Sequence, residues 1–207
     1  MKRIGLLGGA FNPPHLGHLK LATLALAHLD LDELRIMPAG QSPLKPAPEG
    51  VTPAQRLALV RAAFAELDPR VRLERLELDQ PGPSYTADTL ETLVSREPDA
   101  AFVLVLGSDQ LALLPRWRRT DRILQLASVA MAPRPGAPAR LPEGFPAQVV
   151  EAWSGAPGEF VWLPGTDVAL ASTELRSKLA RDVADASLAE ELPAQVLAAI
   201  SRENLYR

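Results

Sequence analysis

The chain has 207 residues, 47% of them hydrophobic and 23% charged, which is the composition of a globular protein with a substantial core and excludes a disordered or fibrous chain. It contains no cysteine, which excludes disulfides, thiolate zinc sites and a cysteine nucleophile. A formal net charge of −3 disfavours long nucleic acid as a partner, and the absence of a signal region or an apolar run of ~20 residues leads us to expect a cytoplasmic protein without a membrane partner.

Apolar strands alternate with helical patterns from the start of the chain. The first half predicts a buried strand over residues 4–8, a helix over 18–29, a short strand over 34–38, a helix over 53–67 and a strand over 71–78. Thr52 and Pro53 suit the N-cap and the first helical position. In the last of these segments the alternation of apolar and charged residues slips by one at Glu74-Arg75, which is typical of a bulged edge strand.

The second half continues the alternation. It predicts a helix over residues 85–96, the clearest buried strand over 101–106, weaker strands over 129–132 and 160–163, and closing helices over 172–181 and 193–204. Residues 133–157 are rich in proline and are predicted to be a loop with room for one short helix. This alternation predicts a single α/β domain over residues 1–207, with a mostly parallel sheet covered by helices. A small helical part is predicted from about residue 170.

Two glycines and two histidines follow the first predicted strand, where ligands of parallel sheets bind. Gly8 and Gly9 allow backbone N–H groups to approach a phosphate closely. His15 and His18 are three residues apart at a helix N-terminus, so they share a helix face where N–H groups favour an anion. This pattern indicates a phosphate site that is neither a Walker loop nor a dinucleotide fingerprint. The alternative is a proline-rich turn with one capping histidine.

A metal site is the other interpretation of two histidines. It would require a third strong ligand, and His28 lies among apolar residues in the middle of a helical pattern. We therefore expect no metal site built from protein ligands.

The run Gly8-Gly9-x-Phe11-x-Pro13-x-His15-x-Gly17-His18 resembles the signature of the nucleotidyltransferases that share a Rossmann-like fold with class I aminoacyl-tRNA synthetases. The resemblance implies a Rossmann-like, mostly parallel sheet with helices on both faces. It also implies that the two histidines bind ATP phosphates and stabilise the transition state of nucleotidyl transfer. It does not identify the acceptor.

Further segments in the same order resemble the bacterial nicotinate mononucleotide adenylyltransferases over residues 3–207. The resemblance implies transfer of AMP from ATP to nicotinate mononucleotide, giving deamido-NAD and pyrophosphate in NAD biosynthesis. Because the motifs contain few carboxylates, Mg²⁺ is expected to travel with ATP and not to sit in a protein cage. The matching segments are Pro83-Ser84-Tyr85-Thr86-Ala87-Asp88-Thr89-Leu90, Gly107-Ser108-Asp109, Leu114-Pro115-Arg116-Trp117, Arg134-Pro135-Gly136, Ser172-Thr173-Glu174-Leu175-Arg176 and the terminal Leu205-Tyr206.

The resemblance also assigns roles to residues of this chain. Catalysis is assigned to His15, His18 and Arg176. Binding of ATP and its phosphates is assigned to Gly8, Gly9, Phe11, His15, His18, Lys45, Arg134, Ser172, Thr173 and Arg176. Binding of nicotinate mononucleotide is assigned to Gly9, Ala10, Tyr85, Thr86, Gly107, Asp109, Trp117 and Arg118.

Three of these segments have a local physical interpretation and a structural alternative. The flat indole of Trp117, in polar surroundings, suits stacking on a pyridine ring, although core packing is the usual place of a tryptophan. Asp109, at a strand end, is suited to accept ribose hydroxyls or to cap the next helix. The hydroxyls at residues 172 and 173 and the guanidinium of Arg176 suit a polyphosphate, or else form an ordinary cap beside a solvated arginine.

The chain departs from the family pattern at three positions. Leu44 stands where a histidine commonly precedes the lysine equivalent to Lys45, Ala171 stands where a hydroxyl residue is common, and Asn12 stands where aspartate is common. Two alternatives remain open: a sister nucleotidyltransferase with another phosphorylated acceptor such as phosphopantetheine, and a non-catalytic nucleotide-binding protein on the same fold. A monomer and a homo-oligomer are equally compatible with the sequence.

Overall fold

The computed structural model describes residues 1–41, 50–136, 140–165 and 170–206. Its strands are β1 (Lys2–Gly9), β2 (Glu33–Pro38), β3 (Val71–Leu73), β4 (Ala100–Gly107), β5 (Ser128–Ala132), β6 (Gln148–Val150) and β7 (Glu159–Trp162). They form one seven-stranded sheet in the order β3-β2-β1-β4-β5-β7-β6. Every neighbouring pair is parallel, as the alternation of strands and helices predicts.

The helices follow the strands in the sequence. They are α1 (Leu16–His28), α2 (Pro53–Phe64), α3 (Leu76–Asp79), α4 (Thr86–Arg96), α5 (Thr120–Leu126), α6 (Ser172–Arg181) and α7 (Ala194–Glu203), with 3₁₀ segments at Ser108–Arg116 and Ala186–Glu190. None of the helices in the described ranges is long and apolar enough to cross a membrane.

Alternate residues of the central strands enter two separate apolar cores. Leu7 and Val103 pack against residues of α1, α2, α6 and α7 on one side of the sheet, called here the α1 face. Leu6 and Leu104 pack against residues of α4 and α5 on the other side, the α4 face. Strands buried on both faces are typical of parallel sheets covered by helices, and the predicted α/β fold with helices on both faces is confirmed.

The start of α2 is as the sequence predicts. Thr52 is the N-cap, and its Oγ1 accepts a hydrogen bond of 3.2 Å from the backbone N–H of Gln55. The Gln55 side chain in turn accepts from the backbone N–H of Thr52 at 2.9 Å. This reciprocal capping box satisfies two N–H groups that would otherwise lack partners at the helix start.

The predicted strand over residues 71–78 is wrong beyond Leu73. The strand ends there, and the short helix α3 follows. Glu74 turns the chain because its Oε1 accepts a hydrogen bond from the N–H of Leu76 at 3.0 Å. The slip of alternation at Glu74-Arg75 therefore marks the end of the strand, and the helical turn buries both Leu76 and Glu77.

Besides α3, four elements were not expected from the sequence. They are the 3₁₀ segments Ser108–Arg116 and Ala186–Glu190, α5, and the strand β6 inside the region predicted to be a loop. Each has few residues, and β6 is a three-residue edge strand that pairs only with β7 within the described sheet. Patterns this short carry too little periodicity to separate a helix, a strand and a loop.

Candidate active site

A cavity of about 930 Å³ opens at the carboxyl ends of β1 and β4. These strands are neighbours in the sheet, and the chain continues from β1 to β2 on one side and from β4 to β5 on the other. The strand order therefore reverses between them, and open α/β sheets bind ligands at that crevice. This volume lies in the range of pockets that bind small molecules and cofactors.

All site residues proposed from the sequence lie on this one cavity, apart from Lys45. Lys45 and Leu44 lie outside the described residues. The proposed residues on the cavity wall are Gly8, Gly9, Ala10, Phe11, His15, His18, Tyr85, Thr86, Gly107, Asp109, Trp117, Arg118, Arg134, Ser172, Thr173 and Arg176. The sequence motifs, distant in the chain, thus converge in space.

The two histidines form a stacked pair at the start of α1. His15 is the N-cap residue, and its ring centroid lies 3.7 Å from that of His18. The backbone N–H of His15 donates to Nδ1 of His18 at 3.2 Å. A neutral His18 with an accepting Nδ1 carries its proton on Nε2.

His15 is the more buried of the pair, with 2% of its surface exposed. Burial, with a smaller contribution from the charge of Arg134, lowers the pKa of His15 to about 4. The ring is therefore neutral at pH 7. Its side chain faces the backbone N–H of His18 in a capping box, but its buried Nδ1 makes no hydrogen bond of good geometry among the described residues. The ring also lines the cavity.

The start of α6 is fastened to the loop that precedes the histidines. Ser172 Oγ donates to the carbonyl of Pro13 at 3.2 Å, and Arg176 Nη1 donates to the carbonyl of Asn12 at 2.9 Å. Ala171 is the N-cap residue and no side chain caps the helix, so the interpretation of these hydroxyls as an ordinary cap is wrong. Half-buried Arg176 lies at the cavity beside the histidine loop.

Asp109 is held by neighbouring polar side chains. Arg134 Nε lies 3.3 Å from its Oδ1, and Gln110 Nε2 donates to its Oδ2 at 2.6 Å. Gly107 is the N-cap of the following 3₁₀ segment, so the alternative that Asp109 caps the helix is wrong. A Cβ at Gly107 would lie 2.6 Å from both Arg134 Nε and Asp109 Oδ1, and this close approach explains the glycine.

An aromatic and cationic group forms the opposite end of the cavity. Tyr85 is the N-cap residue of α4, and the Arg118 guanidinium lies 4.8 Å from the centre of its ring. Trp117 is partly buried against the core of the α4 face and also lines the cavity. The packing interpretation is therefore correct for part of the side chain, and stacking on a pyridine ring stays a prediction.

Glu77 is a cavity residue that sequence reasoning missed. It is 7% exposed, and Thr89 Oγ1 donates to its Oε1 at 3.0 Å. Burial raises its pKa, although hydrogen bonds from Thr89 and the Gly40 backbone act against this. The prediction of a strand through residue 78 hid this residue, because a charged residue in an alternating strand is expected to face water.

The described residues contain no group of three or more histidine, cysteine, aspartate or glutamate side chains placed to hold a metal ion. His28 is exposed in the last turn of α1, and the carboxylate of Asp109, which lines the cavity, is paired with Arg134. These donors do not fit a protein cage for a divalent cation.

Comparison with known proteins gives the family. The cytidylyltransferase-like family model matches residues 6–178. A probable nicotinate-nucleotide adenylyltransferase of Roseiflexus sp. (strain RS-1) is 39% identical over 99% of this chain and 98% of its own length. A second, of Bordetella petrii, is 38% identical over the full length of both.

A solved structure shares the fold. The Plasmodium falciparum nicotinic acid mononucleotide adenylyltransferase complexed with NaAD superposes with a TM-score of 0.78 over 100% of this chain and 98% of that chain, at 17% identity. The fold, the order of motifs and the similarity over the whole chain agree with the family predicted from the sequence. The chain belongs to the nicotinate-nucleotide adenylyltransferase family.

Proposed function

We propose that this chain transfers the adenylyl group of ATP to nicotinate mononucleotide, giving deamido-NAD and pyrophosphate, a step of NAD biosynthesis. The observation that carries the proposal is the single cavity on which the histidine pair, Arg176 and the Tyr85–Trp117 region converge. The names of the relatives support it. One end of the cavity offers cationic and N–H groups to phosphates, and the other offers an aromatic face.

The reaction needs no protein nucleophile. A phosphate oxygen of the mononucleotide attacks the α-phosphorus of ATP in line, a new P–O bond forms, and the bond to the departing pyrophosphate breaks. Catalysis of this kind comes from positioning and from stabilisation of charge in the transition state.

The polar end of the cavity would hold the reacting phosphates. His18 Nε2–H would donate to an α-phosphate oxygen as charge builds on that oxygen. The neutral ring of His15 would assist in binding the phosphates. Arg176, held by the Asn12 carbonyl and Thr173, would neutralise the polyphosphate together with Arg134. Lys45 is proposed as a further phosphate contact from the sequence alone.

The aromatic end would bind the pyridine ring and its carboxylate. The first N–H groups of α4, beginning at Thr86, are hydrogen-bond donors with the positive end of the helix dipole behind them. Trp117 would stack on the ring. Asp109 would accept ribose hydroxyls, with Arg134 and Gln110 fixing its orientation.

We also propose that Mg²⁺ arrives with ATP, held by phosphate oxygens, where it would offset phosphate charge. This agrees with the preference of Mg²⁺ for substrate phosphates plus one or two carboxylates over closed protein cages. From composition and charge we also propose that the protein acts in the cytoplasm, without a nucleic-acid or membrane partner.

The test is product identification. The purified chain is incubated with ATP, Mg²⁺ and either nicotinate mononucleotide or phosphopantetheine, and products are followed by mass spectrometry and pyrophosphate release. Deamido-NAD formed only with the first acceptor is expected. Product from phosphopantetheine alone would move the chain to a sister activity, and nucleotide binding without pyrophosphate release would make it a non-catalytic binder.

A further inference from the structure

Helix α2 carries a buried arginine that the mechanism does not use. The buried residues of α2 are Arg56, Leu59, Val60, Ala63 and Phe64, which is the spacing of one helix face. Arg56 thus occupies a core position and is 2% exposed. Burial lowers the pKa of its guanidinium. A cation buried this deeply is destabilising unless it is hydrogen-bonded. The Nε of Arg56 has no partner among the described residues, so the partners of Nη1 and Nη2 indicate its role.

The partners of Arg56 are backbone carbonyls beside the active site. Nη1 donates to the carbonyl oxygens of Ala10 at 3.0 Å and of Ala39 at 2.6 Å, and Nη2 donates to that of Gly40 at 3.4 Å. Ala10 directly follows β1, whereas Ala39 and Gly40 directly follow β2. No carboxylate among the described residues lies within ion-pair distance of this guanidinium. One side chain therefore joins the two loops.

These two loops also form one wall of the cavity. Ala10, Ala39 and Gly40 line it, as does Phe11. The backbone N–H of Ala39 donates to the carbonyl of Gly9 at 2.8 Å, so the loops are linked to each other as well as to Arg56. A change in the position of the guanidinium would shift both loops at the site where phosphates are proposed to bind.

Glu77 also holds the loop that follows β2, through Gly40. The Gly40 backbone N–H donates to its carboxylate, while Arg56 binds the Gly40 carbonyl. A Cβ at Gly40 would collide with the backbone carbonyl of Glu77, so the loop is closely packed between α2 and α3. The wall is fixed by two buried charged side chains, neither of which is paired directly with the other.

We propose that Arg56 is a positioning residue for adenylyl transfer, acting through the loops that follow β1 and β2. In a planar trans peptide the C=O and the next N–H point in opposite directions. By holding the Ala10 carbonyl, Arg56 directs the Phe11 N–H to the side away from α2. A lysine cannot replace it, because a single ammonium lacks the planar fork that reaches carbonyls of two loops at once.

The test compares Arg56→Lys and Arg56→Ala with Arg61→Lys and Arg61→Ala, since Arg61 is exposed on the same helix. Initial rates are measured with ATP and nicotinate mononucleotide and are expressed per folded molecule, with the folded fraction from circular dichroism. Misplaced groups act mainly on the transition state, so both Arg56 variants are expected to lose at least about tenfold in kcat, with a smaller rise, of about threefold, in the KM for ATP and less change in the KM for nicotinate mononucleotide. Both Arg61 variants are expected to match the wild type.

Chemical rescue separates positioning from general destabilisation. Methylguanidinium at millimolar concentration is expected to raise kcat of Arg56→Ala several-fold and to leave Arg61→Ala unchanged. If Arg56→Lys keeps the wild-type kcat per folded molecule, the inference is overturned and Arg56 contributes only to stability. If methylguanidinium does not raise the lowered kcat of Arg56→Ala, the inference is overturned as well.

This inference rests on the proposed function, and the two fail in different ways. If the wild type makes no deamido-NAD, the proposed function fails. Loop positioning is then tested through the affinity for ATP by calorimetry, where Arg56→Lys is expected to bind at least threefold more weakly than Arg61→Lys; equal affinities would overturn it. If the wild type is active and Arg56→Lys equals it, only the inference fails.

Discussion

At the scale of single residues, two stacked imidazoles at the start of one helix differ in chemistry because their surroundings differ. His15 is buried, and its pKa is lowered to about 4. His18 is half-buried, and the His15 backbone N–H fixes its Nδ1 as an acceptor. The pair thus combines one neutral buried ring with a second ring whose orientation is fixed by the backbone.

We expect His18→Ala to lower kcat by about 10²–10³, which is the usual effect of removing one donor to charge that develops in the transition state. The dissociation constant for ATP should change much less. Steady-state kinetics and calorimetric titration with ATP measure the two quantities. Equal losses in kcat and affinity would contradict a transition-state role for His18, and full activity would contradict the proposed mechanism.

The depressed pKa of His15 predicts a dependence of stability on pH. Above about 6.5, its pKa in the unfolded chain, the residue is neutral in both states and has no effect. As the pH falls from 6.5 toward 4, the unfolded chain takes up the proton first, so the free energy of unfolding decreases by up to about 1.4 kcal/mol per pH unit, about 3 kcal/mol in all.

Urea unfolding between pH 7 and pH 4.5 measures this contribution. Replacing the ring in His15→Gln should remove that part of the pH slope, whereas His28→Gln, at an exposed position on the same helix, should keep it. Identical slopes in the wild type and His15→Gln would show that His15 titrates normally in the folded protein.

For Trp117→Ala we expect the KM for nicotinate mononucleotide to rise by roughly tenfold or more. The variant loses the binding free energy of the buried apolar area and the further contribution of about 0.5–1.5 kcal/mol from ring stacking. The KM for ATP should change little. Trp117→Phe keeps a ring and should recover part of the loss. Because the indole also packs on the core of the α4 face, thermal melting is measured alongside. A lower melting temperature with an unchanged KM would leave only the packing role.

At the scale of elements, the apolar strands and the longer helices were predictable, and most of the short connecting elements were not. The strands β1, β4 and β5 and the helices α1, α2 and α4 have enough residues for their periodicity to identify them. By contrast, α3 and β6 have four and three residues, and tertiary pairing decides their conformation. The chain between Leu73 and Leu76 turns because of the Glu74 side chain, a local hydrogen bond that an alternation pattern does not reveal.

The residues proposed to contact substrates were more predictable than the buried residues that hold the cavity wall in place. The proposed contact residues lie in motifs with a recognisable order, and those within the described ranges converge on one cavity. Arg56 and Glu77 lie behind or beside these motifs and are buried charged residues, which sequence patterns assign to the surface. The only signal for Arg56 is its place one turn before Leu59 and Val60 on the buried face of α2.

The C-terminal turn also supports the histidine loop. Tyr206, 6% exposed, donates its hydroxyl to Asn12 Oδ1 at 2.7 Å. We expect Tyr206→Phe to reduce the free energy of unfolding by about 1–3 kcal/mol, because the Asn12 oxygen loses this buried hydrogen bond. Urea denaturation measures the change. A variant as stable as the wild type would show that this hydrogen bond adds no net stability.

At the scale of the whole molecule, the sheet separates two cores and places the cavity where they meet at the carboxyl ends of the strands. Residues of α6 and α7, from the C-terminal part, belong to the core of the α1 face together with residues of α1 and α2. We therefore propose that residues 1–207 fold as one domain. In this arrangement the part of the cavity proposed to bind phosphates is built from α1 and α6, and the part proposed to bind the pyridine ring from α4 and the segment after β4.

We propose that this site accepts the carboxylate of nicotinate mononucleotide through N–H donors at the start of α4. Nicotinamide mononucleotide differs only in presenting a carboxamide, whose NH₂ would face a donor and leave it unpaired, at a cost of about 1–3 kcal/mol, or roughly 5- to 150-fold. The direct measurement is a competition: equal concentrations of both mononucleotides with limiting ATP and Mg²⁺, and the ratio of the two dinucleotide products by mass spectrometry. We predict at least a tenfold excess of deamido-NAD over NAD. A ratio near one would contradict the donor-only pocket, and the absence of both products would contradict adenylyl transfer itself.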